Sequence, residues 1–316
     1  VGKLQHYVPQ FYLRAWASRN KVYCLHDKAE IINTNVKNVG AENYFYRLTE
    51  LSTEDAEILR GAIIRDSPEG LKPSHEWFVE AFNKPFLARR KLVELGRDMP
   101  EALSELDKMI VELNEQFHTS IEHDFQPYLA AMMAGKLDFL RDTKEAAKFY
   151  RGLAVQYLRT NHLKNSRLAM NDDKFALYLR IANPLVHITA TNVGFSLYSG
   201  SERQEIMLVD NPTGTPFITA DQPIINIASS PRATNPPAGF ELYYPLSPTK
   251  AMLLLDISSK FHPGARSVTE DFVHVYNLNM AAHSYRQVFS NQPKVLEAIK
   301  TELPAFISCF PAENAR

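Results

Sequence analysis

Glu241-Leu-Tyr-Tyr-Pro-Leu246-Ser247-Pro-Thr-Lys250-Ala251-Met-Leu-Leu-Leu-Asp-Ile257 holds two apolar runs of strand length joined by a short, turn-rich link. A link of this kind returns the chain as an antiparallel neighbour, because a parallel crossover needs a dozen or more residues. The same pattern recurs upstream. His187 to Ser199, Glu205 to Val209, Phe217 to Ala220 and Ile224 to Ala228 read as strands, with Asp210-Asn-Pro-Thr-Gly214 as another tight link. Downstream, the spacing predicts a helix from about Val275 to Ala282, a weak strand from Gln287 to Ser290 and a helix near 293–302.

Working back towards the N-terminus, the grammar changes. From Ser52 the apolar residues recur at helical spacing, with Ser52 three residues before Asp55 as in a capping box. Helices are expected over 53–65, 74–94, 100–125, 127–140, 143–163 and 172–182, punctuated by prolines, with Pro85 kinking or breaking the second. Residues 1–50 read as a short helix starting at Pro9, then a hairpin of Lys21 to His26 and Ile31 to Val36 about a turn at Asp27 to Glu30. Strand runs on either side of a helical run define an α+β fold with a mostly antiparallel sheet. The chain divides into 1–50, 51–184 and 185–316. The N-terminal hairpin is expected to join the C-terminal sheet, which would make one composite domain with a helical insertion.

Composition narrows the function classes. The 316 residues are 45% hydrophobic and 22% charged, enough for a core without metal or disulfide staples. Cys24 and Cys309 fit neither a zinc motif nor a disulfide framework, so reduced thiols and a cytoplasmic location are expected. The first residues lack the basic-then-apolar pattern of a signal peptide, and no run is long enough to predict a membrane-spanning helix. Thirty-five Lys and Arg against 36 Asp and Glu leave a net charge of −1, which is not the footprint of bulk nucleic-acid binding. Two local basic clusters stand out: Arg89-Arg90-Lys91, and Arg159 with His162, Lys164 and Arg167. Either reads equally as a solvated helix face.

Gln5-His6-Tyr7-Val8-Pro9-Gln10-Phe11-Tyr12-Leu13-Arg14-Ala15-Trp16 resembles the opening signature of the family catalogued as domain of unknown function 4238. Later segments are similar to that family's in order: Glu42-Asn43-Tyr44-Phe45-Tyr46, Ile121-Glu122 ahead of Pro127, Gln156 to Thr160, Thr219-Ala220-Asp221-Gln222-Pro223, Tyr244 to Pro248, and Asn277 leading to Arg286 to Ser290. Ala220 and Gln222 depart from the family's Thr-Ser-Asp-Asn-Pro element. The resemblance implies kinship and no activity, because the family carries no established one.

Candidate chemistry therefore comes from the residues. His6, Gln10 and Arg14 recur every four positions about a helix start, with Phe11, Tyr12, Ala15 and Trp16 as the neighbouring apolar stripe. His6 there would be a neutral base or metal ligand, or merely a cap. Gln156 and Arg159 share a helix side beside Gly152, whose missing side chain leaves room for a ligand or another chain. Arg159 is suited to clamp phosphate or carboxylate, or to bridge helix and sheet. Asp221, at a strand end, could serve as base or cation ligand, or close an Asx turn. Glu115-Gln-Phe-His118 has a metal-helix spacing but lacks the second copy that a bundle site requires. Asn279 reads as an N-cap. P-loop, dinucleotide, nucleophile-elbow and zincin motifs are absent.

These residue types raise the expectation of a hydrolase acting on a phosphate-containing substrate, nuclease-like in kind. His6 and Asp221 would be catalytic, and Gln10, Arg14, Gln156 and Arg159 would bind substrate. The partner would be a nucleic acid or nucleotide, and such chemistry admits a divalent metal such as Mg²⁺. The competing expectation is a non-catalytic sensor or interaction module in which the same polar residues lock the helices onto the sheet.

Overall fold

In β1 (Leu4–His6) the chain pairs antiparallel with β4 (Ala41–Asn43), His6 opposite Ala41. This computed structural model describes residues 4–96, 99–160, 172–232, 239–257 and 268–310. After β1 comes α1 (Gln10–Leu13), continued by a single 3-10 turn over Arg14–Trp16. Tyr12, Leu13 and Trp16 are buried, whereas Ala15, expected in the apolar stripe, is exposed. The hairpin of β2 (Lys21–His26) and β3 (Glu30–Asn35) follows.

The helical region comprises α2 (Thr53–Leu59), α3 (Lys72–Glu94), α4 (Pro100–Met133), α5 (Thr143–Leu158) and α6 (Asp172–Ser199). Ser52 and Asp55 form the capping box that opens α2. Neither Pro85 nor Pro127 ends its helix. The two helices expected over 100–125 and 127–140 are one, about 50 Å long at 1.5 Å per residue. A proline removes one hydrogen bond, a loss that the buried face on either side of it, Phe125, Tyr128 and Leu129, offsets.

His187 to Ser199 is a correction: it is the second half of α6 and not a strand. Its β-branched residues suggest a strand, but Ile181, Leu185, Ile188 and Leu197 are buried at helical spacing. Tertiary packing therefore overrides propensity. Gly194 makes this packing close, since a Cβ there would lie 2.8 Å from the Cα of Arg151 on α5. Gly152 leaves no space for a ligand either, because the Phe125 ring fills it and would stand 2.4 Å from an added Cβ.

After α6 come β5 (Gln204–Asp210), β6 (Thr219–Ala220), β7 (Ile225–Asn226), β8 (Glu241–Ser247), β9 (Lys250–Asp256), α7 (Glu270–His283), β10 (Gln287–Ser290) and α8 (Pro293–Ser308). One antiparallel sheet has the order β5-β9-β8-β7, and its register slips between Pro245 and Ser247, beside a residue with no N–H to give. The other runs β3-β2-β10-β6, with Phe289 opposite Cys24 and Val288 opposite Ala220. Strands from the two ends of the chain thus share a sheet. The N-cap of α7 is Thr269, and Asn279 lies inside that helix, bonding the Val275 carbonyl. The whole is α+β, antiparallel sheets packed with a large helical region.

A single apolar cluster unites these parts: Tyr7, Val8, Tyr12 and Trp16 meet Phe125 and Met132 of α4, Phe149 and Leu153 of α5, and Tyr244 and Leu254 of the sheet. Among the described residues no helix is long and apolar enough to cross a membrane.

Candidate functional site

The N-terminal turn is fixed in place by its aromatic residues. Tyr12 Oη donates to the Pro245 carbonyl and accepts from Thr219 Oγ1, both at 2.7 Å, and Trp16 Nε1 donates to the Phe217 carbonyl at 2.7 Å. Tyr7 and Val8 give their N–H groups to the Gly40 carbonyl. Gly40 has φ +60° and would carry a Cβ 2.8 Å from that of Val8, so only glycine lets the two segments meet there. With the buried face so latched, the remaining side chains of the segment, His6, Gln10 and Arg14, are left on the other side.

There they line an open cleft of about 340 Å³ with Pro9, Phe11 and Tyr46, walled opposite by Glu115, His118, Thr119 and Glu122 of α4. His6 Nε2 lies 3.1 Å from the Lys37 carbonyl, which can only accept, so Nε2 carries the proton and Nδ1 keeps the lone pair. Burial lowers the His6 pKa from its ordinary value, against the opposing pull of that carbonyl and of Glu122 and Glu115. The ring is therefore neutral at pH 7. Arg14 is exposed and Gln10 half-buried.

Arg159 and Gln156 stand behind this wall. Arg159 Nη1 donates to Glu122 at 2.6 Å and Nη2 to Gln156 Oε1 at 2.6 Å, and both α5-side residues are buried. The pair connects the cleft's acidic wall to the helical core. The sequence does not group these α4 residues with His6, because the N-terminal turn they face is over a hundred positions away: Glu115 accepts from Gln5 Nε2 at 3.0 Å, 110 residues apart. The Glu115-x-x-His118 spacing is the one local signal, since it sets both side chains on the same side of α4.

Asp221 is not among the residues lining the cleft. Its carboxylate is fully buried and accepts from the N–H groups of Tyr285 (2.9 Å), Arg286 (2.7 Å) and Gln287 (2.9 Å), closing the turn into β10. Burial pushes its pKa up to about 6, against those three amides, so it is ionised at neutral pH. Gln222 beside it bonds Thr160 and the carbonyls of Tyr157 and Ile224. Asn277 likewise ties α7 to the segment before β6, through the Ile218 N–H and the Pro216 carbonyl.

Among the described residues no group of three or more His, Cys, Asp or Glu is placed to hold a metal ion. Glu115 and Glu122 are already held by Gln5 and Arg159, so the donor set does not fit a divalent cation. Of the basic clusters, Arg89 pairs with Asp107 and Arg90 with Glu50 on the surface. His162, Lys164 and Arg167 lie outside the described residues.

Fold and cleft together define an α+β protein whose N-terminal turn, rather than its sheet, presents the polar side chains. The chain belongs to the family described as protein of unknown function (DUF4238), whose model matches residues 4–180 and 196–294. No curated protein and no solved structure matches it.

Proposed function

We propose that the cleft is the active site of a hydrolase acting on a phosphate-containing substrate, nuclease-like in its chemistry. The observation that carries this reading is the convergence of His6, Gln10 and Arg14 on one open cleft, with a neutral imidazole whose lone pair is on Nδ1. In this reading His6 Nδ1 takes a proton from the attacking water, whose oxygen bonds to phosphorus as the ester P–O bond breaks; the imidazolium then returns the proton to the departing alkoxide, while the Arg14 guanidinium and the Gln10 amide hold phosphate oxygens. Arg159 acts from behind by fixing Glu122. Asp221 has no step in this scheme, since its oxygens are committed to backbone amides.

The second reading, a sensor or interaction module, is favoured by one specific observation: Gln156, Arg159, Glu122 and Asp221 bond within the fold. One assay separates the two. Small phosphodiesters and phosphomonoesters, and single- and double-stranded DNA and RNA, are offered with and without Mg²⁺ or Mn²⁺. Cleavage by the wild-type protein that falls about 10²-fold or more in His6→Ala is the expected result. Wild-type inactivity on every substrate sinks the hydrolase and leaves the module.

A further inference from the structure

The open cleft has walls of opposite sign. The N-terminal turn contributes Arg14, and α4 contributes Glu115 and Glu122. Burial lowers the His6 pKa, and both carboxylates stand close enough to that ring to oppose the shift. Burial likewise holds the His118 imidazole well below its ordinary pKa, so both histidines are neutral at pH 7. That leaves Arg14, Glu115 and Glu122 as the charged groups lining the cleft.

The two carboxylates are not equivalent. Glu122 accepts from Arg159 Nη1 at 2.6 Å, and that buried guanidinium offsets its charge. The half-buried Glu115 carboxylate holds only a neutral donor, the Gln5 amide at 3.0 Å. Gln5 is otherwise committed, with Nε2 donating also to the Val111 carbonyl and Oε1 accepting from the Tyr46 N–H. Among the described residues no Lys, Arg or His side chain is paired with Glu115. With Glu122 offset by Arg159, the cleft sets one unpaired carboxylate, that of Glu115, against one guanidinium, that of Arg14.

We propose that Glu115 selects substrate by charge, so that the cleft takes a singly charged phosphodiester and rejects a doubly charged phosphomonoester. This rests on the phosphate reading of the cleft and adds to it the class of ester. A diester anion carries one negative charge, which Arg14 balances, and its esterified oxygens bring no charge towards Glu115. A monoester above its second pKa of about 6 carries close to two. No cation lining the cleft is left to meet the second charge, and it stands against the Glu115 carboxylate. Across a solvent-open cleft a repulsion of this kind weakens binding on the order of tenfold. Glu122 cannot discriminate in the same way, because Arg159 already answers it.

Phenyl phosphate and methyl phenyl phosphate present the same ring and differ by one methyl group and one charge. Calorimetric titration of the wild-type protein at about pH 8 is expected to show the diester bound about tenfold more tightly. At about pH 5 phenyl phosphate is singly charged, so the preference is expected to shrink with no change to the protein's sequence. Glu115→Gln keeps an oxygen acceptor for Gln5 but loses the charge. It is expected to shrink the preference at the higher pH by strengthening monoester binding. A role for Glu115 confined to holding Gln5 would move both affinities together and leave their ratio as it was, which overturns the proposal. Wild-type binding of the monoester as tight as that of the diester at the higher pH also overturns it, and leaves the phosphate reading standing. Binding of neither ester removes that reading and the proposal with it.

Discussion

At the scale of the residue, His6 and Asp221 show how burial gives two ionisable groups different work. His6 is half-open, neutral and keeps a free lone pair, so as a base it should lose activity as pH falls and protonates the ring. The expected kcat/KM profile rises through a pKa below the ordinary imidazole value and then levels; a profile flat across that limb would remove His6 as the base. Asp221 is sealed and holds three amides, so its removal is a matter of stability. Asp221→Ala is expected to cost about 3 kcal/mol or more in urea unfolding, since each orphaned buried N–H costs about 1–3 kcal/mol. The spacing of His6, Gln10 and Arg14 was legible in the sequence, because it is local. The opposing wall was not: Glu115, His118 and Glu122 meet the N-terminal turn through contacts that no short-range periodicity encodes.

At the scale of the element, legibility follows the same line. Gln287 to Ser290 alternates and is a strand, and the tight link at Ser247 to Lys250 joins antiparallel neighbours. In α6 the local signal pointed the wrong way, since Ile188, Thr189, Thr191 and Val193 favour strands while their burial follows the helical turn. What holds this segment helical is its close crossing with α5 at Gly194. Gly194→Ala would push a methyl onto the Arg151 backbone, which cannot swing aside as a side chain does. The expected destabilisation is about 1–3 kcal/mol by thermal or urea unfolding, and a neutral result would show that the crossing tolerates a methyl group.

At the scale of the whole molecule, the helical core carries an acid sensitivity. His187 is fully buried and burial lowers its pKa to about 3, whereas in the unfolded chain it titrates near 6.5. Above pH 6.5 both states are neutral and its contribution is complete. As pH falls below 6.5 the unfolded chain takes up the proton first, so stability drops by about 1.4 kcal/mol per pH unit down to about pH 3. His118, also buried with its pKa lowered, contributes in the same sense, so the test is a difference: between pH 6.5 and 4.5 the slope of unfolding free energy in His187→Gln should be smaller than in the wild type by about 1.4 kcal/mol per pH unit.

The sheet shared by the chain's two ends also imposes an order of events during synthesis. The edge of β2 that receives β10 emerges about 260 residues before its partner, which at 5–20 residues per second leaves it open for roughly 13–50 seconds on the ribosome. Cys24 reports on that interval. In the finished protein it is sealed opposite Phe289, while Cys309 is exposed. A nascent chain arrested before Gln287 carries Cys24 alone and should react with a thiol reagent, and the completed chain should react only at Cys309.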